Sequence, residues 1–143
     1  SCDLRVVGQG AKLGLSEVAL GLIPGMGGTA LLRRHLPGAL AMEMLLRAQP
    51  IISDELGNSG LFNRLVPAGD VLTEALELAN SIAVNAPLAV QAARRVVRHS
   101  ADLGEAEALV LESDVGAVLA QSEDAKEGPL AFMEKRAPRF EGR

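Results

Sequence analysis

A mixed α/β fold, with short strands and loops first and helices alone afterwards, is what the sequence predicts, and three observations predict it. Up to about residue 69, short apolar runs are punctuated by Gly and Pro, which is the pattern of brief strands and turns. From Asp70 onward, apolar residues recur at the helical period, and nothing reads as a strand. Finally, 48% of the 143 residues are apolar and 22% are charged, which suits a soluble chain long enough to bury one sizeable core.

The elements follow in order. Leu4 to Val7 is a strand candidate, Gly8-Gln9-Gly10 a turn, and Ala11 to Leu15 a second strand. Ser16 to Leu22 is apolar apart from Glu17, and Ile23-Pro24-Gly25-Met26-Gly27-Gly28-Thr29 is a shaped loop opening onto a helix start. Helices are predicted over Thr29 to Leu36 and, after Pro37-Gly38, over Ala39 to Leu46. Ser53 is a candidate cap for a short helix ended by Gly57 and Gly60, and Leu61 to Val66 is a strand that Pro67 terminates. Asp70 begins a helix running to Asn85 with Leu72, Leu76, Ala79 and Ala83 on its apolar face. Pro87 opens the next helix, which runs to about His99 with Leu88, Val90, Val96 and Val97 for burial. A further helix spans Leu103 to Leu119, and the last starts near Ser122, whose side chain can cap it. These late helices carry apolar stripes too wide for a few neighbours, the pattern of helices that pack on another chain or on more of their own.

Composition excludes several functions. A net charge of -4 offers no field for nucleic acid or an anionic membrane. With no Trp or Tyr, and only Phe62, Phe132 and Phe140, there is no base-stacking platform. No apolar run approaches the roughly 18 residues of a membrane span. The single cysteine, Cys2, can form no internal disulfide, and the absence of a secretory leader makes a cytoplasmic setting the expectation. His35 and His99 have no partners at metal spacing, so no metal is expected. The opening Ser1-Cys2-Asp3-Leu4-Arg5 enters a strand-like run without an initiator Met, as a start in mid-domain would.

Glu17 is the sharpest chemical candidate, because no other charged residue lies between Lys12 and Arg33. A carboxyl group among Leu15, Val18, Leu20, Leu22 and Ile23 is a usable proton donor or acceptor near neutral pH. The competing reading is a strand-end glutamate turned to solvent. The loop from Pro24 to Thr29 could bring backbone N–H groups and a helix dipole to a negative ligand, or be a tight turn and nothing more. It is neither a P-loop nor a dinucleotide loop. The charges Glu123, Asp124, Lys126, Glu127, Lys135 and Arg136 read as surface.

The run Ala11-Lys-Leu-Gly-Leu-Ser-Glu17-Val with Leu20-Gly-Leu-Ile-Pro-Gly-Met-Gly-Gly-Thr29 resembles the glutamate-bearing segment of the crotonase family, the enoyl-CoA hydratases and isomerases. The likeness continues through Gly60-Leu-Phe-Asn-Arg-Leu-Val-Pro67, Asn85-Ala-Pro-Leu-Ala89, Ser122-Glu-Asp-Ala-Lys-Glu-Gly128 and Ala131-Phe-Met-Glu-Lys-Arg136. It covers essentially the whole chain, as the C-terminal half of such a protein. The resemblance implies the last turns of a strand-strand-helix spiral over 1–69 and a helical region over 70–143 that drives trimers or dimers of trimers. It implies that Glu17 exchanges a proton at the carbon β to the thioester, and that Pro24 and Gly25 line the substrate site. Phe132 and Lys135 match positions that in some members reach a neighbouring subunit's acyl pocket and CoA phosphate. No cofactor is implied beyond the coenzyme A of the acyl-CoA substrate.

By the same resemblance, the backbone N–H groups that hold the thioester oxyanion lie N-terminal to Ser1. The chain is therefore expected to be a fragment, inactive alone, since losing one such donor costs about 100 to 1000-fold in rate. Ser16, Met26 and Ala30-Leu31 depart from frequent family residues, which bears on the acyl pocket, and Gly25 stands where dienoyl-CoA isomerases carry an acid. The alternative is a non-catalytic oligomerisation module. Neither hydratase, isomerase nor thioester hydrolase, nor the acyl-chain length, is readable from the sequence.

Overall fold

The computed structural model describes residues 2–143; Ser1, counted above in the opening segment, lies outside them. The chain divides into two compact units, Ser1–Glu77 and Leu78–Arg143, and the division falls inside one helix.

In the first unit, β1 (Val6–Gly8) pairs in parallel with β4 (Arg64–Val66), placing Val6 opposite Arg64 and Gly8 opposite Val66. β2 (Lys12–Leu13) pairs antiparallel with β3 (Ile51–Ile52). The first strand starts later than the expected Leu4 because Arg5 is held by a side chain instead of a ladder: its N–H donates to Asn63 Oδ1 at 2.7 Å, and Asn63 N–H returns a bond to Arg5 O at 2.8 Å. The expected strand over Ala11 to Leu15 shrinks to two residues. Gly14 lies against Pro50, so close that a Cβ there would be 2.9 Å from Pro50 Cα, and a proline has no N–H to extend the ladder. β3 has no sequence signal, being two residues between Pro50 and Ser53.

Ser53 does not cap a helix through its side chain; it opens a 3₁₀ turn, Ser53–Leu56. Its fully buried hydroxyl donates to Gly8 O at 2.8 Å and accepts from Ala11 N–H at 3.1 Å, so one oxygen joins the end of β1 to the start of β2. Beneath these strands, Leu36, Ala41, Met44, Leu56 and Leu61 form the core, with Leu13, Leu32, Leu40, Ile51 and Phe62 packed on it. The helix expected over Thr29 to Leu36 is broken into α1 (Gly28–Leu31) and a 3₁₀ turn, Leu32–Arg34, where the N–H groups of His35 and Leu36 both turn back on Leu32 O. α2 (Gly38–Leu46) follows Pro37 and contributes Ala41, Met44 and Leu45 to the interior. Asp70 ends a short 3₁₀ turn, Ala68–Asp70, and α3 starts one residue later, over Val71–Ala83.

In the second unit, α4 (Pro87–Ser100) carries its proline in the first turn and packs on α5 (Glu105–Leu119). α6 (Glu123–Met133) is capped as expected by Ser122, whose Oγ accepts from Ala125 N–H at 3.1 Å. Burial along these helices departs from expectation. Val97 (70%) is exposed, as are Leu109, Val110, Val118 and Met133, and so are Leu72 (71%) and Leu76 (54%) on the part of α3 that belongs to the first unit. Their stripes find no cover among the described residues. No helix of the described residues is long and apolar enough to cross a membrane.

Candidate active site around Glu17

The chain is brought to Glu17 by close packing. After β2 it passes Gly14 against Pro50, and Leu15 then lies beside Gly28, where a Cβ would sit 3.6 Å from Leu15 Cδ2 and 2.9 Å from Pro24 Cβ. Glu17 is the first residue of a 3₁₀ turn, Glu17–Leu20, that Gly21 closes in the left-handed conformation at φ 74°. The turn is held by its own backbone, with Leu22 N–H donating to Glu17 O at 3.0 Å.

The Glu17 residue as a whole is half-buried, yet its Oε2 is buried and has no hydrogen-bond partner. A solvent-directed glutamate would not look like this. The segment also shows Leu20 (75%) and Ile23 (75%) to solvent, together with Leu22 and a fully exposed Met26. A withdrawn carboxyl oxygen and an apolar surface thus belong to one stretch of chain. This arrangement can exchange a proton with an apolar ligand.

Pro24 is buried and Gly25 exposed. Two of the loop's N–H groups are turned inward. Gly28 N–H donates to Gly25 O at 2.9 Å, Thr29 N–H and Oγ1 both donate to Pro24 O, and Leu31 N–H donates to Gly27 O. These bonds tie Gly28 and Thr29 back onto Gly25 and Pro24.

Phe132 and Lys135 lie in the other unit, at the end of α6, and both are exposed. Lys135 occupies the left-handed position after the helix at φ 54°, with its N–H on Phe132 O at 3.2 Å and Arg136 N–H on Ala131 O at 3.0 Å. That pair of bonds is a Schellman turn.

The acidic cluster read as plain surface charge is more than that. Asp124 is buried, and its two oxygens accept from Glu141 N–H (2.7 Å) and Gly142 N–H (2.9 Å). Glu127 accepts from both Arg136 guanidinium nitrogens, at 2.5 and 2.8 Å, and from Arg139 N–H at 2.7 Å. Arg143 O in turn accepts from Glu123 and Asp124 N–H.

Bonding to Arg136 first, and to the Arg139 backbone next, holds the Glu127 carboxyl at about 2, below its ordinary 4.5. A cleft of about 840 Å³ lies between α6 and the tail, lined by residues including Glu123, Lys126, Leu130, Arg139 and Arg143. Glu17, Pro24, Gly25, Phe132 and Lys135 do not line it, and its charges are balanced and largely paired, so it is not the candidate site. His35 lies 3.5 Å from an Arg5 guanidinium nitrogen, and burial, then Arg5, keeps its ring pKa below the ordinary value. Among the described residues, no three of His, Cys, Asp and Glu gather as a metal set.

Comparison with known proteins agrees with the sequence resemblance. The signature of the family described as enoyl-CoA hydratase/isomerase matches residues 1–143. An enoyl-CoA hydratase, EchA19, of Mycobacterium tuberculosis is 46% identical over 142 residues, which are 99% of this chain and 53% of that protein. The 2,3-dehydroadipyl-CoA hydratase of Escherichia coli is 39% identical, over 99% of this chain and 56% of its own length. The crystal structure of an enoyl-CoA hydratase from M. tuberculosis superposes with a TM-score of 0.95 at 35% identity, covering 99% of this chain and 56% of that one. One from Bacillus anthracis superposes at 0.95 with 33% identity, covering 99% of this chain and 55% of the other. The chain spans about half the length of the curated relatives it matches; the match carries the family and the α/β fold, and neither the expected C-terminal placement nor the trimerising region. On sequence and on structure alike, the chain belongs to the enoyl-CoA hydratase/isomerase family.

Proposed function

We propose that this chain carries the proton-exchanging part of an acyl-CoA enzyme that adds water to, or isomerises, a 2-enoyl-CoA thioester, with Glu17 as its acid and base. The observation that carries the reading is the buried, unpartnered Oε2 of Glu17. Leaving a buried polar atom unsatisfied costs about 1–3 kcal/mol, and a group kept at that cost is best understood by the reaction it serves.

In hydration, Glu17 would take a proton from water as the water oxygen bonds to the carbon β to the thioester. The alkene electrons would then move toward the thioester oxygen, and as the carbonyl re-forms Glu17 would return the proton to the α carbon, which completes the addition. The oxyanion donors would come from a part of the enzyme outside these residues. Exposed Leu20, Leu22, Ile23 and Met26 suit an acyl chain, Pro24 and Gly25 shape the wall behind it, and Phe132 and Lys135 would serve the acyl pocket and CoA phosphate of a neighbouring subunit. No cofactor beyond the coenzyme A of the substrate enters this reading. The relatives named as hydratases favour hydration over isomerisation.

Hydration of crotonyl-CoA by the full-length protein, followed by loss of enoyl absorbance, tests the proposal. Glu17→Gln should lower kcat by about 100 to 10,000-fold with little change in KM. Unchanged activity would remove Glu17 from the mechanism.

A second reading, that residues 70–143 serve oligomerisation, is favoured by the exposed apolar side chains of α3, α5 and α6. Sedimentation at micromolar concentration tests it: a trimer or hexamer supports it, and a monomer removes it.

A further inference from the structure

The stretch of chain that carries Glu17 runs into a turn with an unsuited central residue. Gly28 N–H donates to Gly25 O at 2.9 Å, and the two residues between them, Met26 at φ 51° and Gly27 at φ 89°, are both left-handed. Residues 25–28 are therefore a type I′ turn. Glycine suits the second central position, where Leu31 packs so closely that a Cβ would lie 2.7 Å from its Cδ1. The first ordinarily takes Asn, Asp or Gly, because a short polar side chain, or none, tolerates the left-handed region. Met26 puts an unbranched thioether there. It is fully exposed, so no packing among the described residues compensates for its backbone. The base of the turn is held firmly: Pro24 and Gly28 lie against Leu15, two positions before Glu17, and Thr29 donates to Pro24 O. A strained residue persists where the surrounding structure over-determines it, and such residues gather at ligand sites.

We propose that Met26 is the residue that selects acyl chains by length: the turn holds its thioether out to lie along the carbons beyond the reacting double bond. A methionine side chain is apolar, flexible and polarizable, which lets it follow a chain of methylenes that is itself flexible. Its stretch of sequence also holds exposed Leu22 and Ile23 and the withdrawn carboxyl oxygen of Glu17. A short acyl group offers Met26 a single methyl group and a longer one several methylenes, and each methylene removed from water favours the longer chain. The inference rests on the acyl-CoA reading given above and adds the residue that discriminates among its substrates.

The test compares 2-octenoyl-CoA with crotonyl-CoA as substrates of the full-length protein. Met26→Asn keeps a residue that suits the turn and removes the apolar reach. It should lower the octenoyl-to-crotonyl ratio of kcat/KM about five- to thirtyfold, with the melting temperature unchanged or raised. Met26→Ala should lower the ratio to a similar degree, and it is read by the same comparison should Met26→Asn not fold. A ratio that stays within about twofold of wild type, or that rises, overturns the selecting role and leaves the acyl-CoA reading standing. So does a wild-type protein that acts on crotonyl-CoA and leaves octenoyl-CoA untouched. An unchanged ratio with a lowered melting temperature would overturn it by assigning the Met26 side chain to packing against another part of the protein. If the wild-type protein acts on neither thioester, the acyl-CoA reading itself fails, and this inference with it.

Discussion

Replacing Ser53 by Ala should destabilise the protein far more than the loss of one hydroxyl suggests. Its Oγ donates to Gly8 O at 2.8 Å and accepts from Ala11 N–H at 3.1 Å, and the residue is 0% exposed. Alanine would remove a partner from both of these half-buried backbone groups. Each such group costs about 1–3 kcal/mol. Ala11 N–H keeps a longer bond to Gly8 O at 3.3 Å, which offsets part of the loss. The expected total is therefore roughly 2–4 kcal/mol, the lower half of the simple sum. Ser81 is the control, since it is exposed and its hydroxyl bonds only Leu78 O within the same helix; Ser81→Ala should cost less than about 0.5 kcal/mol. Urea unfolding of the two variants beside wild type, with equal slopes required, measures both. Equal losses in the two variants would refute the claim that the Ser53 hydroxyl joins β1 to β2.

Three further outcomes are expected. Gly14→Ala should cost about 1–3 kcal/mol, because its Cβ would fall 2.9 Å from Pro50 Cα and 3.3 Å from Pro50 N, both backbone atoms; Gly38→Ala, which meets nothing within 4 Å, should be near neutral, and thermal unfolding distinguishes them. Glu17→Gln should leave the melting temperature unchanged or raised, since the oxygen it alters has no partner to lose, and a large drop would make Glu17 a structural residue. The folded Glu127 carboxyl titrates near 2 against an ordinary 4.5, so its contribution to holding the tail is complete above about pH 4.5 and is lost as the pH falls toward 2. Amide signals of Arg139 followed by NMR across that interval should report the release, and a tail already loose at pH 5 would contradict it.

The parts of the fold that the sequence disclosed are those written by local chemistry. Pro87 at a helix start, Ser122 as a cap and the helical period of α3 to α5 are each decided within one or two turns of chain. What escaped depends on residues far apart. The Gly14–Pro50 approach that shortens β2, the pairing of β3 and the Ser53 bridge all involve partners tens of positions away, which no periodicity announces. The site divides the same way. Glu17 stood out because charge is absent around it, and its withdrawn oxygen agrees with that isolation. The loop at Pro24 could be read either way because residues before a helix look alike whether their N–H groups are free or, as at Gly28 and Thr29, folded onto Gly25 and Pro24. Asp124 and Glu127 were missed because a carboxylate that accepts backbone N–H groups from the tail has the same sequence appearance as one in solvent.

The parallel register of β1 on β4 also sets a clock. Val6 faces Arg64 and Arg5 is gripped by Asn63, partners 58 positions apart. On a ribosome adding about 5–20 residues per second, β1 therefore waits roughly 3–12 seconds for its strand to be made. Until then Val6 and Val7 have no ladder, whereas α4 and α5, joined by a short turn, can pair as soon as both are synthesised. The first unit is the one a chaperone would have to shelter, and substitutions that slow the meeting of Arg5 with Asn63 should lower the yield of folded protein before they alter the stability of what has folded.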